Sequence, residues 1–392
     1  MFSINDKVFL GKFDGYDSEA IGAWLLAVFP QVGLAPARVN GKKVTIKPNL
    51  VMKMAPEKGG TTHPAVVAAA AKLLISWGAS VTIAESSGGL YTEANLRALY
   101  RACGMEDAAA ESGAVLNYDT AAREVSCPDG VQTKMFHLIE PVLDCDFLLN
   151  IGKLKTHGLT GMTGCAKNLF GTIPGVEKFE MHARFTAEDD FETMLLDLCL
   201  LHHSEKEVID LCDGIIGMEG NGPTGGEAKY LGALLCSRNP FLIDRLGAHL
   251  IGLDGRVPML EKAIGRGYCP ENSADIAVEG VDPETMCAVF AESDAKKKSK
   301  LQFVLTLGGG RFKKPFEPRP YINRKKCIGC GECIRSCPEI TISWYKGNSG
   351  AGRKAVIHPE KCIRCFCCQE LCPHRAVEIK KNPLLKVAGK LR

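Results

Sequence analysis

Cysteine spacing carries the most specific chemistry in this 392-residue chain. Near the C-terminus Cys327, Cys330, Cys333 and Cys337 are followed by Pro338, and the same cadence returns 35 residues later at Cys362, Cys365, Cys368, Cys372 and Pro373. Each run reads C-x2-C-x2-C-x3-C-P, the spacing by which thiolates hold a [4Fe-4S] cluster. Three thiolates at intervals of three wrap one cubane, and the fourth, turned aside at the proline, ligates the other. The expected ligand sets are therefore Cys327, Cys330, Cys333 and Cys372 for one cluster, and Cys362, Cys365, Cys368 and Cys337 for the second. Structural zinc uses paired C-x2-C ligands without a closing C-P, and disulfides need an oxidising compartment that nothing else in the chain supports. The spacing predicts electron transfer in single steps.

A second group of candidates follows apolar, β-branched runs. Lys47-Pro48-Asn49 closes the first run, and Glu85 with Ser86-Ser87-Gly88-Gly89 closes the second. Lys153, Lys155 and His157 follow Ile151, Lys167 and Asn168 lie in a glycine-bounded stretch ending at Gly171, and Glu219 and Asn221 lie between Gly214 and Gly226. Ligands of parallel sheets bind beyond the carboxyl ends of the strands, and glycine-rich loops let backbone N–H groups approach an anion. One lysine or histidine in a loop is ordinarily just solvated; Lys153, Lys155, His157 and Lys167 within fifteen residues predict a site. Catalytic roles are expected for Lys155, His157, Lys167 and His182, the lysines holding negative charge and a histidine supplying a proton. Ligand binding is expected from Lys47, Asn49, Glu85, Lys153, Asn168, Glu219 and Asn221, with Glu85 and Glu219 as bases or metal ligands. No GxGxxG fingerprint or Walker loop is present, and the residues specify neither a flavin nor a further metal.

These residues must be positioned by a scaffold, and the pattern predicts an α/β fold. Residues 43–51 and 80–87 alternate as strands around a helix that starts at Pro64, which is a right-handed parallel crossover. Strands are expected at 146–151, 207–213, 231–236, 275–278 and 301–307, and helices at 96–103, 191–202, 241–250 and 258–264. Together they predict a mostly parallel sheet with helices on both faces over residues 1–310. A proline-rich linker over 311–320 leads to a small α+β ferredoxin-like two-cluster domain over 321–382, with a glycine-rich turn at 346–352 and a basic tail at 383–392.

Charge is unevenly shared. The net charge is +3, yet from Lys313 onward there are 18 Lys and Arg against 6 Asp and Glu, leaving 30 against 39 in the first 312 residues. Each cubane with its four thiolates is an anion, so surrounding cations offset it; this favours cluster environment over nucleic-acid binding and is compatible with docking an acidic redox partner. The other ten cysteines share no spacing, and free thiols beside oxygen-sensitive cubanes point to a reducing cytoplasm in an anaerobe. Residues 20–37 are uncharged, but acidic flanks and Pro30 and Pro36 argue for a helix over 18–29 and against a signal peptide or a membrane span.

Lys47-Pro48-Asn49, Lys155-Thr156-His157, Met162-Thr163-Gly164 with Lys167-Asn168-Leu169-Phe170-Gly171, and the run from Gly217 to Pro223 resemble the hallmarks of one α/β family, the domain of unknown function 362, often fused to a two-cluster ferredoxin module. The resemblance covers about residues 5–310, and the last cysteine run is similar to the tails of fused members. It implies the architecture without implying a reaction. The family usually has a small residue other than cysteine where Cys165 stands, so Cys165 is not assigned as a nucleophile. Two functions then compete: a reductase passing low-potential electrons to a small anionic substrate or cofactor in the α/β cleft, and a non-catalytic carrier or reductive activator that docks a redox partner protein.

Overall fold

The computed structural model describes residues 2–296, 318–345 and 352–380. The expected strand at 301–307, the glycine run at 308–310, the basic run beyond Lys296, most of the linker, the turn at 346–351 and the tail at 383–392 lie outside the described residues.

The α/β part is built from β1 (Val8–Lys12), β2 (Lys43–Pro48), β3 (Ser80–Ile83), β4 (Val115–Leu116), a separate antiparallel hairpin of β5 (Ala122–Ser126) and β6 (Met135–Ile139), and then β7 (Phe147–His157) and β8 (Gly161–Thr163). It is completed by β9 (Glu207–Glu219), β10 (Glu227–Ser237) and β11 (Val278–Gly280). The sheet runs β11-β1-β10-β9-β7-β2-β3-β4, with β8 folded back on β7. The pairs β2–β3, β3–β4, β2–β7, β7–β9 and β1–β11 are parallel, and β1–β10, β9–β10 and β7–β8 are antiparallel. The expected mostly parallel α/β fold is present.

Its core has two halves because the central strands are buried on both faces. In β7, Leu148 enters one cluster with the helices Glu188–Glu205 and Pro240–Leu250, while Leu149 and Ile151 enter the other with Ser18–Val28 and Pro64–Ser76. Alternation therefore buries every residue, which is why such a strand reads as one apolar run. The Pro64–Ser76 helix starts on a proline, whose missing N–H costs nothing there, and His63 Nδ1 caps it by accepting from Ala65 N at 3.2 Å. Asp17 caps the Ser18–Val28 helix by accepting from the backbone of Glu19 and Ala20.

Two strands differ from expectation in a way that matters. The expected strand ending at Ile151 runs six residues further, because β8 supplies partners for its last turn: Lys155 opposite Thr163, Thr156 opposite Met162, His157 opposite Gly161. Likewise β9 continues to Glu219 against β10. Lys153, Lys155 and His157 therefore sit on a rigid strand and not in a loop beyond one.

The C-terminal module pairs β12 (Arg319–Ile322) with β15 (Val377–Lys380) and β13 (Ile342–Trp344) with β14 (Ala355–Ile357), both antiparallel. β12 starts two residues before the expected domain edge at 321, absorbing Pro320 opposite Ile379. Among the described residues, no helix is long and apolar enough to cross a membrane.

Candidate functional site

The eight cysteines of the two runs fall into two groups of four. Cys327, Cys330, Cys333 and Cys372 line one pocket of about 350 Å³, its open mouth included. Cys337, Cys362, Cys365 and Cys368 line a second of about 310 Å³ on the same measure. Backbone N–H groups donate to ligand-run sulfurs, Thr341 to Cys337 Sγ and Ala376 to Cys372 Sγ, both at 3.2 Å. Four thiol donors, apolar walls and N–H groups aimed at sulfur are what a [4Fe-4S] cluster requires, so the residues fit the group. The repeat extends to the backbone: Gly329 and Arg364, Gly331 and Phe366, and Ile340 and Arg375, each pair offset by 35 residues, all take positive φ. Three non-glycine residues hold φ values of 47–63° in the second half and one in the first, a strain that persists only where the surroundings impose it.

A cleft of about 650 Å³, its open mouth included, lies between the module and the carboxyl ends of β2, β3 and β7. Its floor is a connected polar network. Lys47 Nζ donates to Glu85 Oε2 at 2.9 Å and to Asn168 Oδ1 at 3.1 Å, and both lysine and glutamate are buried. Glu85 also accepts from the N–H groups of Leu50 and Ser86 at 3.0 and 2.8 Å, so both of its carboxylate oxygens are engaged. Gly171 packs so closely on this pair that a Cβ there would stand 2.4 Å from Glu85 Oε1 and 2.5 Å from Lys47 Nζ. Asn49 donates to Asn168 Oδ1 at 2.9 Å and accepts from Lys155 Nζ at 2.8 Å, and Lys155 also donates to the Gly60 carbonyl.

Above this floor three lysines have no carboxylate bonded to them among the described residues. Lys155 is held by Asn49 and Gly60, and Lys178 by the oxygens of Ser86, Ser87 and Ile173. Lys167 faces the Phe170 ring at 5.6 Å and forms no hydrogen bond or ion pair among the described residues. Burial lowers all three: Lys155 well below the ordinary lysine range, Lys167 also downward, and Lys178 to about 7. Thr163 Oγ1 lines the cleft, is buried and has no hydrogen-bond partner among the described residues.

The third wall comes from the module: Cys367, Glu370 and Leu371 line the same cleft. Glu370 Oε1 lies 3.3 Å from His157 Nε2. Thr224 Oγ1 donates to the Glu370 carbonyl at 2.7 Å, Gln369 Nε2 to the Asn221 carbonyl at 3.0 Å, and Arg375 to Glu227 at 2.9 Å. The loop after β9, which contains a cis Gly222–Pro223 bond, is thus a latch for the module.

Of the residues expected at the site, Lys47, Asn49, Glu85, Lys155, Lys167, Asn168 and His182 line the cleft, and His157 borders it through Glu370. Lys153 is elsewhere. A register shift between Lys153 and Lys155 separates them, and Lys153 is sealed in the core against Asp213 at 2.7 Å and Tyr16 at 2.9 Å. Glu219 pairs with Lys229 at 2.8 Å, and Asn221 binds Asp294 and the module, so neither lines the cleft.

The two histidines expected to supply a proton are also changed by their surroundings. Burial, with Lys167 beside it, pushes His182 down to about 3, and its ring stacks on Phe191 at 4.3 Å. His157 Nδ1 accepts from Leu159 and Thr160 N–H groups, and burial holds the ring well below the ordinary histidine range. Both are neutral near pH 7 and poor acids. Lys178, Thr163, Cys367 and Glu370 were not anticipated; a Lys three residues after Gly175 and a Glu inside a cysteine run carry no spacing signal.

Fold and site together define a doubly covered α/β protein whose polar cleft is closed by an iron–sulfur electron-transfer module. Residues 44–249 match the family described as Domain of unknown function (DUF362), and residues 326–376 match the 4Fe-4S dicluster domain. The chain belongs to the first of these families and carries the second as its C-terminal module. It is 28% identical over 255 residues to a thylakoid-associated protein of Synechocystis, covering 63% of this chain and 75% of that protein. A crystal structure of a Thermotoga maritima protein superposes with a TM-score of 0.39 at 11% identity, covering 69% of this chain and 62%, less than two thirds, of that one.

Proposed function

We propose that this chain is a reductase that passes electrons from two [4Fe-4S] clusters, held by the two cysteine sets, to a substrate or cofactor carrying two negative charges in the cleft. The observation that carries this reading is the third wall: Cys367, Glu370 and Leu371 flank the ligand-run residues Cys368 and Cys372 and line the cleft themselves. Clusters bound at these thiolates supply electrons singly, and two electrons with two protons reduce one carbonyl or one carbon–carbon double bond.

The chain's own residues account for binding and protonation. Lys47, Lys155, Lys167 and Lys178 line the cleft against Glu85 and Glu370, leaving an excess of two positive charges when all are ionised. Charge-assisted hydrogen bonds in a dry cleft are the strong kind, and Thr163 Oγ1 offers one more bond. Phe170 and Phe179 give an apolar body its contact surface. Lys178, titrating at about 7, matches the requirement for a general acid near neutral pH, which replaces the two neutral histidines in that role.

The decisive experiment is anaerobic purification, mass spectrometry of any small molecule carried along, and turnover with dicarboxylates and phosphate monoesters. Lys155→Met and Lys167→Met are each expected to weaken binding at least about tenfold and to abolish turnover, with iron content intact. Full activity in both variants would sink the proposal.

A further inference from the structure

The module has a face that the cleft does not use. Its helix Cys367–Glu370 and Arg375 are taken up by the α/β part. The first cysteine run is not: Cys330 is exposed and Ile328, between two ligand-run cysteines, is 56% exposed. Cations surround this spot without being neutralised by it. The Arg324 guanidinium carbon sits over the Tyr345 ring, 3.9 Å from its centroid, and that of Arg353 over Trp344 at 3.8 Å. Lys354 Nζ donates to the Cys327 carbonyl and Arg335 to the Cys330 carbonyl. The acids nearby are committed, Glu332 to Arg335 and Glu378 to Lys326. Aromatic stacking orients a guanidinium while leaving its N–H fork free for an incoming carboxylate. An apolar centre ringed by preoriented cations has the anatomy of a small, transient interface that is steered by charge.

We infer that this face is the electron port of the protein, and that a small acidic one-electron carrier protein docks there. Carrier carboxylates engage Arg324, Arg353 and Lys354, and its redox centre faces Ile328 and Cys330. One electron leaves the reduced carrier and one is gained at the site of Cys327, Cys330, Cys333 and Cys372; no bond is made or broken. The inference rests on cluster binding by the module and is independent of what the cleft reduces.

The test uses the full chain with its clusters and an acidic ferredoxin as the probe. Affinity is expected to fall by at least about tenfold from roughly 50 to 500 mM salt. It should fall by at least about tenfold again in the Arg324→Glu/Arg353→Glu double variant. Dithionite, too small to need a docking face, should bleach the visible absorbance of the variant as fully as that of the parent. Should the double variant lose iron, Arg324→Glu decides alone, because that exposed side chain lines neither cysteine cavity. Salt-independent binding, or parental affinity in the iron-loaded variant, overturns the inference.

Discussion

Glu370 Oε1 lies 3.3 Å from Nε2 of His157, and the contact joins the second cysteine run to the end of β7. Because His157 Nδ1 accepts two backbone N–H groups, at 3.0 and 3.3 Å, its proton resides on Nε2; that atom and Glu370 Oε1 are both buried and, among the described residues, neither has a hydrogen-bond partner. Neither part of the chain forms this corner alone, so the cleft exists only when the module is seated.

Lysines two positions apart on β7 should behave oppositely. Lys153→Met leaves Asp213 buried without its cation and is expected to cost about 3–5 kcal/mol in anaerobic chemical denaturation, with affinity for a dianion unchanged. Lys155→Met should lower that affinity roughly tenfold to a hundredfold, measured by calorimetry, as loss of a charge-assisted hydrogen bond does.

Anion binding should be linked to proton uptake. Lys178 titrates at about 7 in the free cleft, below the ordinary lysine value of 10.5, because burial disfavours its charge. A bound dianion favours the charged form and raises that value, so the complex holds more protons than the free protein. Affinity should be strongest below pH 7 and weaken as pH rises through it. Calorimetry in buffers of different ionisation enthalpy reads the uptake directly, and Lys178→Met should flatten the pH profile; an affinity that rises with pH contradicts the assignment.

Cysteine adjacency gives a sharp contrast within one helix. Cys368 lines the second cysteine cavity, whereas Cys367 lines the cleft. Cys367→Ser should retain about eight iron atoms per chain, and Cys368→Ser should lose up to half of them, by iron analysis and visible absorption. Equal iron loss in both would mean that Cys367 is a ligand.

Gly171→Ala should damage the floor of the cleft. Its Cβ would stand 2.4 Å from Glu85 Oε1, so the buried pair with Lys47 must shift. The expected cost is about 1–3 kcal/mol in anaerobic denaturation, with weaker anion binding. A stability equal to that of the parent would show that the pair relaxes freely.

Local chemistry was legible in the sequence wherever its spacing is contiguous. Thiols at intervals of three, closed by a proline, specify a cluster loop because the ligands lie within one turn of each other. The α/β order was legible as well, since β-branched runs alternating with capped helices admit few other folds. What the residues could not reveal by themselves is which polar groups share a volume. Lys153 and Lys155 look equivalent in the chain, and only the register shift against β9 sends one to Asp213 and the other to Asn49. Glu370 reads as a spacer between cysteines until the loop after β9 latches the module over β7. Titration behaviour is likewise a tertiary property, because burial is set by what the rest of the chain packs around a group. That is why two histidines expected to be acids are neutral and an unremarked lysine is poised near neutrality. Short-range spacing is enough to specify the cluster loops and the scaffold; which polar groups share the cleft beside the module depends on contacts between residues far apart in the chain, and only the folded protein sets those.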